Sequence, residues 1–234
     1  MQHPEILYED RHILVCVKPA GVLAEDDGKG GGLPGLFRDY LAEKGEDPTL
    51  HTVHRLDRPV GGVTILAKSS KAAGKLSAQI AERSVTKEYL AVIYGKTAEK
   101  EGQFRDLLFR DAAKGKTYVV DRMRRGVREA LLDYSMLSSV AVEDKMISLM
   151  RIRLHTGRTH QIRVQFASRK LPLFGDGRYG SGDGGEFPAL WAWHVVFTHP
   201  ITGKPLSLFA MPSAKMPFSL FTVEIASLGG ELGC

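Results

Sequence analysis

Residues 63–94, VTILAKSSKAAGKLSAQIAERSVTKEYLAVIY, decide the fold class. They open on a β-branched run, Val63 to Ala67, and close on a second apolar run, Glu88 to Tyr94. Between the two, Ala73, Leu76 and Ile80 recur at helical spacing, which predicts a helix from about Ser70 to Arg83, capped by Ser69 or Ser70. Toward the N-terminus, ILYEDRHILVCVKP reads as two short strands around a polar turn at Glu9-Asp10-Arg11. Residues 25–35, EDDGKGGGLPG, read as a mobile loop whose glycine order fits neither nucleotide-binding pattern. Leu33, Leu36, Phe37, Tyr40 and Leu41 then mark one helical face started by Pro34. Toward the C-terminus, strand-like runs fall at 130–137, 146–154, 193–198 and 206–210. A short helix is predicted over Thr159 to Ser168, with Ile162 and Phe166 on one face. Many strands and few helices predict an α+β fold with a mixed, largely antiparallel sheet flanked by helices and loops. There is no fixed repeat and no long linker, so residues 1–234 are expected to form one domain.

Composition excludes several classes. The 234 residues are 43% hydrophobic and 25% charged, which rules out disorder and collagen-like repeats. No apolar run approaches membrane length, and the N-terminus does not read as a secretory signal. Cys16 and Cys234 are too few for a disulfide framework or a cysteine-rich zinc site, and a cytoplasmic location is expected. The net charge of +5 conceals a division. Residues 1–50 carry 5 basic and 10 acidic side chains, whereas residues 51–200 carry 25 basic and 15 acidic. The densest run, Lys114 to Arg128, holds six positive charges against Asp121 alone. Such a run suits a polyanion, whose neutralised phosphates release counterions; it reads equally as a solvated loop.

Four clusters carry possible chemistry. In His54-Arg55-Leu56-Asp57-Arg58 a carboxylate lies between two cations, which favour its charged form. The plainer reading is a surface ion-pair cluster. In Lys87-Glu88-Tyr89 the phenol is either half-buried sheet packing or a ring that stacks on a planar base. In LHTGRTHQIR, residues 154–163, Gly157 permits a turn, Thr159 can cap a helix and Arg163 lies one turn on. Basic groups around a helix start suit a phosphate, although a basic surface helix fits as well. The pairs His51 with His54 and His155 with His160 lack an acidic partner at ligand spacing, so no metal site is expected. No nucleophile elbow is present, and no second acid is nominated to work with Asp57.

These clusters, in this order, resemble the RluA family of RNA pseudouridine synthases, and the resemblance covers most of the chain. ILYEDRHILVCVKPAGVL is similar to the family's opening strands and Lys-Pro-x-Gly turn, and HRLDRPVGGVTILAK to the motif with its catalytic aspartate. KEYLAVIYG resembles the segment of the active-site tyrosine, REALLDYSML with LHTGRTHQIRVQF the next strand and basic motif, and FGDGRYG and ALWAWHVVFTHPITGKPL the closing segments. The resemblance implies the pseudouridine synthase catalytic fold and isomerisation of uridine within RNA, without cofactor or metal. It implies Asp57 as the catalytic aspartate, Tyr89 beside the target base, Arg163 pairing with the aspartate and Arg55 at the entrance, helping to hold a flipped nucleotide.

Further expected substrate contacts are Arg58, Lys87, Arg158, His160 and Gln161, with Arg122, Arg124, Arg125 and Arg128 in the basic run taken as an RNA-gripping arm. The expected partner is a ribosomal or transfer RNA stem-loop bound by a monomer, with no membrane and no obligate protein partner. The chain leaves no room before Ile6 for the small N-terminal RNA-binding domain of several relatives, so affinity is expected from the catalytic domain itself. It departs from the family where Val60-Gly61-Gly62 replaces Thr-Ser-Gly and Leu190-Trp191-Ala192 replaces Leu-His-Ala. The competing readings are an RNA-binding or RNA-folding factor that keeps the fold with weak or lost catalysis, and a small-molecule hydrolase using Asp57.

Overall fold

The computed structural model describes residues 3–180 and 187–231; Cys234 lies outside the described residues. In chain order the first elements are β1 (Ile6–Glu9), β2 (Ile13–Lys18), α1 (Gly32–Gly35), α2 (Arg38–Glu43), β3 (His51–Thr52), β4 (Gly61–Ala67) and α3 (Ser70–Ala81). The middle of the chain is strand-rich: β5 (Thr86–Tyr94), β6 (Glu101–Asp111), β7 (Lys116–Val120), β8 (Val127–Val142) and β9 (Lys145–Leu154). Then come α4 (Gln161–Ala167), β10 (Leu190–Thr198), β11 (Pro205–Phe209), a 3-10 turn at Phe218–Phe221 and α5 (Thr222–Glu231). The mostly antiparallel strands and few helices give the α+β class read from the sequence. Among the described residues no helix is long and apolar enough to cross a membrane.

The chain divides into two compact units, Met1–Lys87 with Ala192–Ala210, and Glu88–Trp191 with Met211–Cys234. In the first, the strand order is β1-β2-β4-β10, with β3 pairing β4 and β11 pairing β10. β2 is apolar without alternation because both its faces are covered. Ile13 and Val15 join Val63, Ile65 and the α3 residues Ala72 and Leu76 in one core. Leu14 and Cys16 join Leu33, Phe37 and Leu41 in another. Ser69 caps α3, its hydroxyl accepting the Ala72 N–H at 3.3 Å. The helix expected from Pro34 is instead two short pieces, because the Leu36 and Phe37 N–H groups bond three residues back, to Leu33 and Pro34. The tighter spacing still brings Leu33, Phe37 and Leu41 into the core.

In the second unit the order is β5-β9-β8-β6-β7, antiparallel throughout. Register places Tyr89, Ile152, Tyr134 and Gly102 in one cross-strand row. The Tyr134 hydroxyl lies over Gly102, where an added Cβ would meet it at 2.6 Å. Phe166 of α4 packs edge-on against Phe104 at 5.0 Å and Tyr134 at 6.2 Å, so α4 covers the face that carries this row. The strands β6 and β7 were not expected. β6 alternates exposed Glu101, Gln103 and Arg105 with more buried partners, a half-solvated pattern that its charges mask. The basic run 114–128 is therefore half strand, with the turn 121–126 joining β7 to β8.

Candidate active site

Asp57 sits in the connection from β3 to β4, and the connection is clamped from below. β3 pairs His51 with Ala67 and Thr52 with Leu66; the next donor of β4, the Ile65 N–H, is taken at 3.0 Å by Nε2 of His54. The chain leaves the ladder there, buries Leu56 and closes a four-residue turn with the Val60 N–H bonded to the Asp57 carbonyl at 2.9 Å. Lys18, fully buried at the end of β2, donates to the carbonyls of Pro19 at 3.0 Å, Val22 at 2.7 Å and Arg58 at 3.2 Å. The Gly21 N–H also reaches the Arg58 carbonyl, while Arg58 Nε returns to the Gly21 carbonyl, each at 2.8 Å. Gly21 takes φ +88°, which a glycine adopts without cost. Gly62 is required more strictly: at φ +120° a Cβ there would lie 2.1 Å from the Ala192 carbonyl oxygen.

The arginines of the turn have partners of their own. The Arg55 guanidinium bonds Glu25 at 3.0 Å in an exposed pair, and Arg58 serves the Gly21 carbonyl. Within this unit the buried Lys18 ammonium feels the charge of Asp57. Burial lowers its pKa to about 8 against the opposing pull of the Asp57 and Cys16 charges. Lys18 was missing from the expected set; its signal was a lysine ending an otherwise unbroken apolar strand. Burial also holds His54 down to about 3, with the nearby Lys87 charge adding to it, so His54 is a neutral acceptor. Lys87 is itself lowered by burial.

In the second unit Tyr89 is 7% exposed on the face covered by α4. Arg163 projects from α4 and forms a two-point pair with Asp176, Nε to Oδ2 and Nη2 to Oδ1, each at 2.8 Å. Both side chains are buried, Asp176 fully. The Tyr179 ring lies 5.3 Å from the Arg163 guanidinium, and its hydroxyl oxygen accepts the Thr117 N–H at 2.8 Å. Nδ1 of His160 lies 2.8 Å from the same oxygen.

The turn before α4 corrects one expectation. The N-cap is His160, in the left-handed region at φ 57° with no side-chain cap, rather than Thr159, whose carbonyl accepts the Thr117 hydroxyl at 3.0 Å. Gln161 organises this turn and is buried at 2% exposure. Its Oε1 accepts the Thr156 hydroxyl and the Arg158 N–H, and its Nε2 donates to the Leu131 carbonyl. Gln161, expected as a substrate contact, also holds the backbone of this turn. Arg158 points Nε to the Glu129 carbonyl at 2.9 Å. His54, His155 and His160 each have a partner within their own unit: the Ile65 N–H, Asp133 and Tyr179 respectively. Among the described residues no three His, Cys, Asp or Glu side chains are placed to share a metal ion.

The segment that builds both turns also matches a known family. RNA pseudouridylate synthase is the family, and the match covers residues 12–168. The chain belongs to this family.

An RNA pseudouridine synthase of Bacillus subtilis, itself named uncharacterized, is 35% identical over 203 residues, 86% of this chain and 66% of that protein. The ribosomal large subunit pseudouridine synthase D of Xanthomonas campestris is 34% identical over 224 residues, 86% of this chain and 63% of its own. The tRNA pseudouridine synthase C of Yersinia pestis is 30% identical over 226 residues, 88% of this chain and 85% of its own. The chain therefore spans just under two thirds of the first two relatives. The solved human RNA pseudouridylate synthase domain containing 1 superposes with a TM-score of 0.74 at 24% identity, covering 92% of this chain and 85% of that one, which shows the fold. Asp57, Tyr89 and Arg163 all fall inside the family segment; Asp176 and Tyr179 lie beyond it.

The basic run lies at the edge of the second unit's sheet. Arg122, Arg124 and Arg125 are exposed in the turn 121–126, and Arg128 is exposed just after it. Among the described residues no ion pair engages these four. The Arg124 guanidinium lies 5.1 Å from the Phe109 ring centroid, and Arg128 donates to the neighbouring Val127 carbonyl.

Proposed function

We propose that this chain isomerises a uridine in a ribosomal or transfer RNA stem-loop to pseudouridine, as a monomeric single catalytic domain acting in the cytoplasm where such RNA matures. The observation that carries the reading is the family match over residues 12–168, which includes the Asp57 turn, Tyr89 and Arg163 in one segment. A uridine in folded RNA must leave its stack before any side chain reaches it, at about a few kcal/mol. Phosphate contacts from Arg122, Arg124, Arg125 and Arg128 offset that cost, with Arg55 and Arg58 exposed beside the Asp57 turn to meet the flipped nucleotide. The reaction breaks the bond from N1 of uracil to C1′, forms one from C5 to C1′, moves a proton from C5 and leaves one on N1. It is an isomerisation, with no net redox change and no co-reactant. Asp57 acts on the sugar as its carboxylate, by attack or by proton removal, with Arg163 as its cationic partner. Tyr89 stacks on the detached uracil while it rotates, and exclusion of water keeps isomerisation from becoming hydrolysis.

The test is to map pseudouridine across cellular RNA with and without the gene. Loss of one or a few sites supports the reading and names the target. An unchanged map, together with retained RNA binding by the purified protein, points instead to an RNA-folding factor.

A further inference from the structure

We propose that Asp176 and Tyr179 are positioning residues that seat Arg163 for the reaction and tie that seat to the edge strand β7 of the RNA-gripping arm. The inference rests on the pseudouridine synthase reading and deepens it. An arginine on a seven-residue helix has four rotatable side-chain torsions, and a single ionic contact would leave its plane undefined. The parallel bonds to Asp176 at 2.8 Å fix that plane. The carboxylate is fixed in turn, because its Oδ1 also accepts the N–H groups of Arg178 at 3.1 Å and Tyr179 at 3.2 Å. These donors come from the turn that begins at Asp176, so the acid is oriented by its own backbone and not by Arg163 alone.

Tyr179 completes the seat. Its ring covers the guanidinium, and its hydroxyl takes the Thr117 N–H on the side of β7 away from β6. Arg178 makes a second staple, donating from Nη1 to the Gly115 carbonyl at 2.8 Å. The Thr117 hydroxyl meanwhile reaches the Thr159 carbonyl in the turn before α4. The strand that opens the basic arm is thus bonded to both segments that define where Arg163 points. A buried Arg–Asp pair that served folding alone would need none of this connection to β7, and its loss would change stability without a selective loss of turnover.

The experiment measures single-turnover rate at saturating RNA, RNA affinity and melting temperature for wild type, Asp176→Asn and Tyr179→Phe, and repeats Asp176→Asn in an Arg163→Lys background. The expected result is a rate loss of about 100-fold for Asp176→Asn, the scale of a misplaced reacting group, with RNA affinity within about twofold. Tyr179→Phe keeps the ring and the ion pair and is expected to lose about fivefold in rate at unchanged affinity. In the Arg163→Lys background Asp176→Asn should cost less than about twofold more, because lysine cannot use the fork. An unchanged rate in folded Asp176→Asn, or an equal loss in both backgrounds, overturns the proposal. Should Asp176→Asn fail to fold, Tyr179→Phe decides, and full turnover in that variant overturns it. A wild type that forms no pseudouridine overturns the functional reading and this inference with it. An active wild type with equally active variants overturns the positioning claim alone.

Discussion

The turn that holds Asp57 and the seat that holds Arg163 solve one problem, fixing a charged side chain, by opposite means. The Asp57 turn is held through the backbone: Lys18 gathers three carbonyls, and His54 takes a strand N–H that has no strand partner. Arg163 is held by its own charged atoms, in a buried fork with Asp176 under the Tyr179 ring. In the proposed reaction Asp57 must stay reactive, so its support is best placed behind it, whereas the orienting Arg163 cation gains from a rigid plane.

This difference predicts graded losses. Arg163→Ala should be the most damaging change, because it strands a fully buried Asp176 carboxylate; a stability loss of about 3–5 kcal/mol is expected by chemical denaturation. Arg163→Lys should fold yet turn over little better than Arg163→Ala, since one ammonium cannot make the two-point contact. A lysine variant near wild-type rate would break the contrast by showing that charge alone suffices. Lys18→Met should cost about 2–4 kcal/mol, because three carbonyls lose a buried donor at once. A loss confined to turnover, with stability unchanged, would mean that Lys18 acts on Asp57 through its charge and not through the turn.

The pH dependence separates the turns further. His54 has a folded pKa of about 3 against an ordinary 6.5, so the unfolded chain binds the extra proton below 6.5. Stability from this group is therefore complete above about pH 6.5 and is lost as pH falls toward 3, at a slope below about 1.4 kcal/mol per pH unit. His54→Gln keeps an acceptor for the Ile65 N–H, so its stability should vary less with pH across that window. Parallel curves would remove His54 from the clamp.

The smallest effect on turnover belongs to the arm. Replacing Arg122, Arg124 and Arg125 with Ala should weaken RNA binding and flatten the log–log salt dependence by about two to three units. Turnover at saturating RNA should fall less than about threefold. Equal salt slopes in the two proteins would show a solvated face.

Much of this was legible in sequence where the determinant is local. The strand–helix–strand of residues 63–94 and the Ser69 cap follow from spacing and one hydroxyl. HRLD and TGRTHQIR announce themselves as motifs. What escaped is non-local. Lys18 matters through carbonyls up to 40 residues away, and Arg163 through an acid 13 residues on, beyond the helix that carries it. Thr159 looked like the cap because hydroxyls cap helices, yet the buried Gln161 amide outcompetes it by meeting the Thr156 hydroxyl, the Arg158 N–H and the Leu131 carbonyl together. β6 and β7 were missed because a half-solvated strand full of charges looks like a loop until its neighbours are known.

Pseudouridine formation by purified Asp57→Asn beside wild type, on RNA from cells lacking the gene, tests the central claim most directly. Wild type should convert its target uridine. The Asn variant should fold, bind the RNA within about twofold of wild type, and form no product above background. Turnover by Asp57→Asn at the wild-type rate would contradict the assignment of the catalytic carboxylate and the site built around it.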